Sequence, residues 1–121
     1  MAVLVTGGLG YIGSHTCVEL MNAGIDVVVA DNLYNCKKSS YDRIKALVGK
    51  DFPFYECDIR DKDGLQKIFD NEKIDSVIHF AGLKAVGESC KKPLEYFDNN
   101  ITGTLVLLDV MRKNGCKRIV F

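Results

Sequence analysis

Residues 6–13 read Thr6-Gly7-Gly8-Leu9-Gly10-Tyr11-Ile12-Gly13. The stretch contains both Gly8-x-Gly10-x-x-Gly13 and the wider Gly7-x-x-Gly10-x-x-Gly13, and two unlike patterns flank it. Ahead of it, Ala2–Thr6 is a short apolar run, as expected of a strand buried on both faces of a parallel sheet. Behind it, Tyr11–Ala23 is spaced as a helix, with Ile12, Thr16, Leu20 and Ala23 on one face and Gly24 as its stop. A strand that turns this tightly into a helix needs residues free to take φ > 0. The turn also faces the first N–H groups of the helix, which suit an anion.

The alternation continues along the chain. Asp26–Asp31 reads as strand two, 32–39 as polar loop, and Ser40–Val48 as a short helix ended by Gly49. Phe52–Cys57 is strand three, and Lys62–Asn71 is a helix carrying Leu65, Ile68 and Phe69 inward. Ser76–Phe80 is strand four. Pro93 opens a long helix to about Asn114, with Gly115 as its stop, and Arg118–Phe121 begins strand five. Strict β-α alternation implies an α/β, doubly wound parallel sheet with right-handed crossovers, Rossmann-like and truncated in strand five. The expected strand order is 3-2-1-4-5, with ligand at the carboxyl ends between strands one and four.

Composition narrows the function classes. The 121 residues suit one domain, and 47% hydrophobic with 26% charged residues is ordinary globular usage. Sixteen Lys+Arg balance sixteen Asp+Glu, so no basic field invites nucleic acid. No apolar run is long enough to span a bilayer, and the N-terminus does not resemble a signal peptide. The five cysteines are odd in number and lack a C-x-x-C pair, which argues against a metal site or disulfide framework and for thiols in a reducing cytosol.

The glycine turn takes its meaning from its context. Gly10 lets backbone approach a diphosphate, and Gly13 lets helix and strand pack closely. Asp31, at the end of strand two, is placed to accept the ribose hydroxyls of an adenosine and to repel a 2′-phosphate, which favours NAD over NADP. A Walker A loop is excluded because Ser14-His15 follows Gly13 where Lys-Ser/Thr would be needed. An S-adenosylmethionine site has no diphosphate to occupy three glycines. The alternative without a ligand is a tight turn alone.

With these residues in view, the chain resembles the extended short-chain dehydrogenase/reductase superfamily and, within it, the UDP-glucose 4-epimerase family. Val3–Thr16, Asp31-Asn32-Leu33, Asp58-Ile59-Arg60 and Asn99–Thr104 carry the resemblance. Its most specific part is the run Val77-Ile78-His79-Phe80-Ala81-Gly82-Leu83-Lys84-Ala85-Val86-Gly87-Glu88-Ser89. The resemblance implies bound NAD that takes a hydride from C4 of a UDP-hexose, leaves a 4-keto sugar and returns the hydride to its other face. UDP-galactose and UDP-glucose would be the substrates. It implies that Gly7, Gly10, Tyr11, Ile12 and Gly13 meet the diphosphate, and that Asp31, Asn32, Leu33, Tyr34, Asn35 and Cys36 surround the adenosine ribose and phosphates. Asp58 and Ile59 would flank adenine. Phe80, Ala81, Gly82, Lys84 and Asn99 would line the nicotinamide side, and Lys84, Ala85 and Val86 would touch the sugar nucleotide. Cys36 stands where many relatives carry serine, and a thiol is the weaker donor. Asp58 also fits a turn cap, Asn99 a backbone partner, and His79 a satisfied core residue.

The superfamily's proton-transfer residues are a Ser/Thr after strand five and a Tyr-x-x-x-Lys on the next helix. Tyr34/Lys38 and Tyr41/Lys45 match that spacing, but both follow strand two on the adenosine side. No catalytic residue is therefore assigned to this chain. Residues 1–121 are expected to form an NAD-binding domain incomplete at its C-terminus, without the substrate domain and inactive alone. In the long helix, Phe97, Ile101, Leu105, Leu108 and Met111 are expected to cover the sheet. Val106, Leu107 and Val110 would form a second apolar face that joins a homodimer interface. Alternative readings are a nucleotide-sugar dehydratase or reductase, and a non-catalytic NAD-sensing module.

Overall fold

A computed structural model of the chain describes residues 2–33, 39–81 and 90–121. In order these form β1 (Ala2–Thr6), α1 (Tyr11–Asn22), β2 (Asp26–Asp31), α2 (Ser39–Val48), β3 (Phe54–Glu56), α3 (Lys62–Asn71) and β4 (Ile74–His79). Then come α4 (Pro93–Phe97), a π-helical turn (Asp98–Thr102), α5 (Gly103–Lys113) and β5 (Arg118–Val120). All strand pairs are parallel, and the order is β3-β2-β1-β4-β5, as the alternation implies. Strand order therefore reverses between β1 and β4.

Strand residues alternate between the two faces of the sheet. Leu4, Val28, Ala30 and Val77 pack with Leu65, Ile68, Leu107, Val110 and Met111 beneath α3 and α5. Val5, Val27 and Val29 pack with Leu9, Cys17, Met21, Ile44 and Phe52 beneath α1 and α2. Each fully buried Leu or Val contributes roughly 1.5–3 kcal/mol before the entropy of ordering is counted. Gly24, Gly49 and Gly115 stop α1, α2 and α5 with φ of 82°, 71° and 72°. Among the described residues no helix is long and apolar enough to cross a membrane.

The structure corrects three expectations. β3 spans three residues, because Phe52 and Pro53 lie ahead of the pairing with β2. α1 buries Gly13, Cys17 and Met21, one position round from the expected face, and leaves Ile12 exposed. The long helix is likewise turned, although Met111 is buried as expected. Tyr96, Asn99, Gly103, Leu107, Val110 and Met111 face inward. Phe97, Ile101, Leu105 and Leu108 are the exposed line, 62%, 52%, 61% and 38% accessible. Both lines have helical spacing. The inner one is selected by Gly103, whose missing side chain leaves space that Ile59 fills: a Cβ there would stand 2.5 Å from Ile59 Cδ1.

Candidate functional site

The loop between β1 and α1 lies at the carboxyl ends of the strands, and each glycine in it has a separate cause. Gly7 has φ of 69°, and a Cβ on it would stand 2.8 Å from Ala81 N and 2.9 Å from Phe80 C. Glycine there lets the ends of β1 and β4 meet backbone to backbone. A Cβ on Gly8 would meet Val29 Cγ1 at 2.8 Å, and one on Gly13 would meet Gly7 O at 2.3 Å. Gly10 differs: its nearest neighbour would be Gly7 O at 3.4 Å, an ordinary contact. Packing within the described residues therefore does not demand glycine at position 10. Gly10 is also the N-cap of α1, supplies no side-chain cap, and is followed by a first turn free of acidic residues. Among the described residues no side chain caps these first N–H groups, and such groups beside an open glycine could hold an anion such as a diphosphate.

Asp31 closes the cradle from β2. It is 7% exposed, its Oδ2 accepts from Leu9 N–H at 3.1 Å, and its Oδ1 accepts from Leu33 N–H at 2.8 Å. The carboxylate thus ties the glycine loop to the strand end. Leu33 has φ of 61°, uncommon for a residue with a side chain, and its bond to Asp31 holds that strained conformation.

Asp58 and Ile59 follow β3 on the same edge. Asp58 accepts the Arg60 amide N–H at 2.9 Å and the guanidinium through both oxygens, at 3.0 and 2.7 Å. The Arg60 guanidinium, with an Asn32 side-chain hydrogen bond, holds the Asp58 carboxyl below its usual range. Asp58 is therefore a turn cap and also a link to the β2 end. Arg60 reaches on to Asp98 Oδ2 at 2.5 Å, fastening this loop to the π-helical turn. The neighbouring Asn99 is 6% exposed.

At the other end, Phe80 and Ala81 leave β4 beside a groove of about 500 Å³, with Asn100 and Thr104 among its opposing walls. The half-buried His79 ring contacts Thr6 through Nδ1 and Thr104 through Nε2, so it is hydrogen-bonded at both nitrogens as expected, but it lines the groove and is not part of the core. The structure thus gathers Gly7, Gly10, Tyr11, Ile12, Gly13, Asp31, Asn32, Leu33, Asp58, Ile59, Phe80, Ala81 and Asn99 along one edge. Tyr34, Asn35, Cys36, Gly82, Lys84, Ala85 and Val86 lie outside the described residues, as does the Tyr34/Lys38 pair. Thr6, Arg60, Asn100, Gly103 and Thr104 were missed as supporting residues. All five stand inside resemblance-carrying segments, but side-chain type alone gave them no role.

Tyr41 has a different task from the one its spacing to Lys45 mimics. Its hydroxyl donates toward Asp51 Oδ1 and Phe52 O, each at 2.8 Å, and Lys45 Nζ lies 4.6 Å from its ring centre. Burial and the Asp51 carboxylate push its pKa up to about 12, away from what a general base needs.

The model of the NAD dependent epimerase/dehydratase family matches residues 3–121. The UDP-glucose 4-epimerase of Haemophilus influenzae is 60% identical over 121 residues, which are 100% of this chain and 36% of that protein. The Bacillus subtilis enzyme of the same name is 55% identical, with the same coverage. The crystal structure of UDP-glucose 4-epimerase from Bifidobacterium longum in complex with NAD+ and UDP superposes with a TM-score of 0.97 at 50% identity. It covers 100% of this chain and 36% of its own. The Stenotrophomonas maltophila enzyme, with bound NAD and formylated UDP-arabinopyranose, gives a TM-score of 0.97 at 49% identity and the same coverage. This chain spans 36% of the length of these relatives. With its fold, its glycine loop and 119 of its residues (3–121) matched, the chain belongs to the NAD dependent epimerase/dehydratase family.

Proposed function

We propose that this chain is the NAD-binding portion of a UDP-glucose 4-epimerase, and that the whole protein interconverts UDP-galactose and UDP-glucose. The observation that carries the reading is the open, uncapped start of α1 at Gly10, with Asp31 fastened to the adjoining Leu9 amide. The dinucleotide fits across the carboxyl ends of the strands. Gly10, Tyr11 and Ile12 hold its diphosphate, Asp31 its adenosine ribose, and Asp58 and Ile59 its adenine. Phe80, Ala81 and Asn99 border the nicotinamide end. The assignments to Tyr34, Asn35, Cys36, Gly82 and Lys84 as cofactor contacts, and to Lys84, Ala85 and Val86 as sugar-nucleotide contacts, rest on the resemblance.

Bound NAD supplies a hydride acceptor that is also the donor for the return transfer. The described residues bind and orient it, and the side chains that move the sugar hydroxyl proton belong to a part of the protein that this chain does not span. The whole protein is placed in the cytosol. It assembles as a homodimer through the exposed apolar line of Leu94, Phe97, Ile101, Leu105 and Leu108. Calorimetric titration with NAD and NADP, beside product analysis with UDP-galactose, tests the function. NAD binding in preference to NADP and formation of UDP-glucose are expected from the whole protein. Residues 1–121 alone are expected to bind NAD more weakly, without turnover. A whole protein that binds no NAD, or turnover by residues 1–121 alone, overturns the reading.

A further inference from the structure

Thr6 and His79 end β1 and β4, and Thr104 faces them from α5. Four hydrogen bonds join these residues into one chain. Ala81 N–H lies 3.4 Å from Thr6 Oγ1, Thr6 Oγ1 lies 2.6 Å from His79 Nδ1, His79 Nε2 lies 3.2 Å from Thr104 Oγ1, and Thr104 Oγ1 lies 2.7 Å from Asn100 O. The two ends fix its direction, because an amide N–H only donates and a backbone carbonyl only accepts. Thr104 has one proton and gives it to Asn100 O. It must therefore accept from His79, so Nε2 carries hydrogen.

At the other ring nitrogen two states remain. In the neutral ring, Nδ1 accepts the Thr6 hydroxyl proton while Thr6 Oγ1 receives Ala81 N–H, and every donor has an acceptor. In the imidazolium, Nδ1–H would point at Thr6 Oγ1. The Thr6 proton would then have no acceptor among the described residues. Thr6 is 0% exposed, and a buried hydroxyl left unpaired is costly. Among the described residues, the short 2.6 Å contact therefore fits the neutral ring.

We propose that His79 is a positioning residue, a neutral imidazole fixed as its Nε2–H tautomer, which sets the backbone at Ala81 and Asn100 on the two sides of the groove at the nicotinamide end. The proposal rests on the NAD reading above and adds a function for a residue that does not itself transfer a proton. Its geometry holds together three elements that meet where strand order reverses: β1 through Thr6, β4 through His79, and α5 through Thr104.

The ring nitrogens report the tautomer directly by ¹⁵N NMR. The resonances lost in a His79→Asn variant assign the ring, whatever other histidines the whole protein carries. At neutral pH the His79 Nε2 resonance should be pyrrole-type and Nδ1 pyridine-type. The reverse pattern, averaging of the two, or a doubly protonated ring overturns the proposal. Function is read by calorimetry with NAD and with ADP, which lacks the nicotinamide half. Thr104→Val should weaken NAD by about three- to tenfold, the scale of one hydrogen bond, leave ADP affinity unchanged, and be restored by Thr104→Ser. Equal losses for NAD and ADP, or no restoration by serine, overturn the positioning role. A wild-type protein that binds neither nucleotide overturns the dinucleotide reading instead, and the tautomer measurement keeps the two failures apart.

Discussion

Replacing Gly13 with alanine sets two effects of opposite sign against each other. Gly13 lies in the first turn of α1, where alanine improves helix propensity by about 1 kcal/mol. The added Cβ, however, would stand 2.3 Å from Gly7 O, 3.0 Å from Gly8 Cα and 3.1 Å from Gly7 C, against an ordinary contact of at least 3.4 Å. The obstacle is backbone, so no side chain can swing away. Gly7 is itself held by Gly7 N–H to Ala30 O at 2.8 Å and by Gly10 N–H to its own carbonyl at 3.1 Å. Overpacking of this kind costs about 1–3 kcal/mol, and a rigid obstacle puts it in the upper part of that range. Net destabilisation of about 1–2 kcal/mol should result, a fall of roughly 4–10 °C in Tm for a chain of this size. Gly10→Ala is the matched control. It meets one atom at 3.4 Å and should change stability by less than about 1 kcal/mol. It should nevertheless weaken NAD at least about tenfold, because its methyl enters the diphosphate cradle. Thermal denaturation and calorimetry of both variants decide the matter. A Gly13→Ala protein as stable as wild type would show that propensity wins and that the loop is not packed as described. Unchanged NAD affinity in Gly10→Ala would remove the diphosphate from that position.

Asp31→Ala should cost about 1–3 kcal/mol of NAD binding and narrow the preference over NADP, measured by titrating both cofactors; intact selectivity would refute the ribose assignment. Gly103→Ala should destabilise less than Gly13→Ala, since the atoms it meets, Ile59 Cδ1 and Cγ1, belong to a side chain that can shift. Denaturation midpoints of the two variants give the ranking. The depressed Asp58 carboxyl makes a stability contribution that is complete above its unfolded pKa, about 4, and lost as pH falls through the lower folded value. Wild type and Asp58→Asn should therefore differ in urea midpoint at pH 7 and converge in acid. Burial pushes the Cys17 thiol up to about 12, while Cys90 is exposed. Alkylation at pH 8 followed by peptide mapping should label Cys90 in the native protein and Cys17 only after unfolding.

Strand order and the placement of the loop were legible because they depend on chain alternation and on backbone conformations that few residues adopt. Val27-Val28-Val29-Ala30 can only be buried on both faces, and Gly7 marks a positive φ. The candidate site was legible where a residue type carries its own chemistry, as Asp31 does beside a glycine loop. It was less so where the role is to hold another residue. Arg60 reads as a surface cation until Asp58 and Asp98 are seen on either side of its guanidinium. Thr6 and Thr104 read as filler until the His79 ring is seen between them.

The two misread helix faces have one cause. Helical periodicity fixes the spacing of a buried line but not which of two adjacent apolar lines it is. In α1 the expected line is Ile12, Thr16 and Leu20, and the buried one is Gly13, Cys17 and Met21. In the long helix the expected line is Phe97, Ile101, Leu105 and Leu108, and the buried one holds Gly103, Leu107 and Val110. In both cases the line that contains a glycine is the buried one. A helix laid on a parallel sheet gains most by approaching closely, and a missing side chain allows that where a phenylalanine would hold the helix off. The larger residues then remain outside, where Phe97, Ile101 and Leu105 form a continuous apolar line that neither the sheet nor α3 covers. The same glycines bring Gly7 O beneath α1 and Ile59 against α5. Parallel strand order already brings the loops after β1 and β3 to the same edge of the sheet, and the close packing that exposes the outer line seats each of them against its helix there.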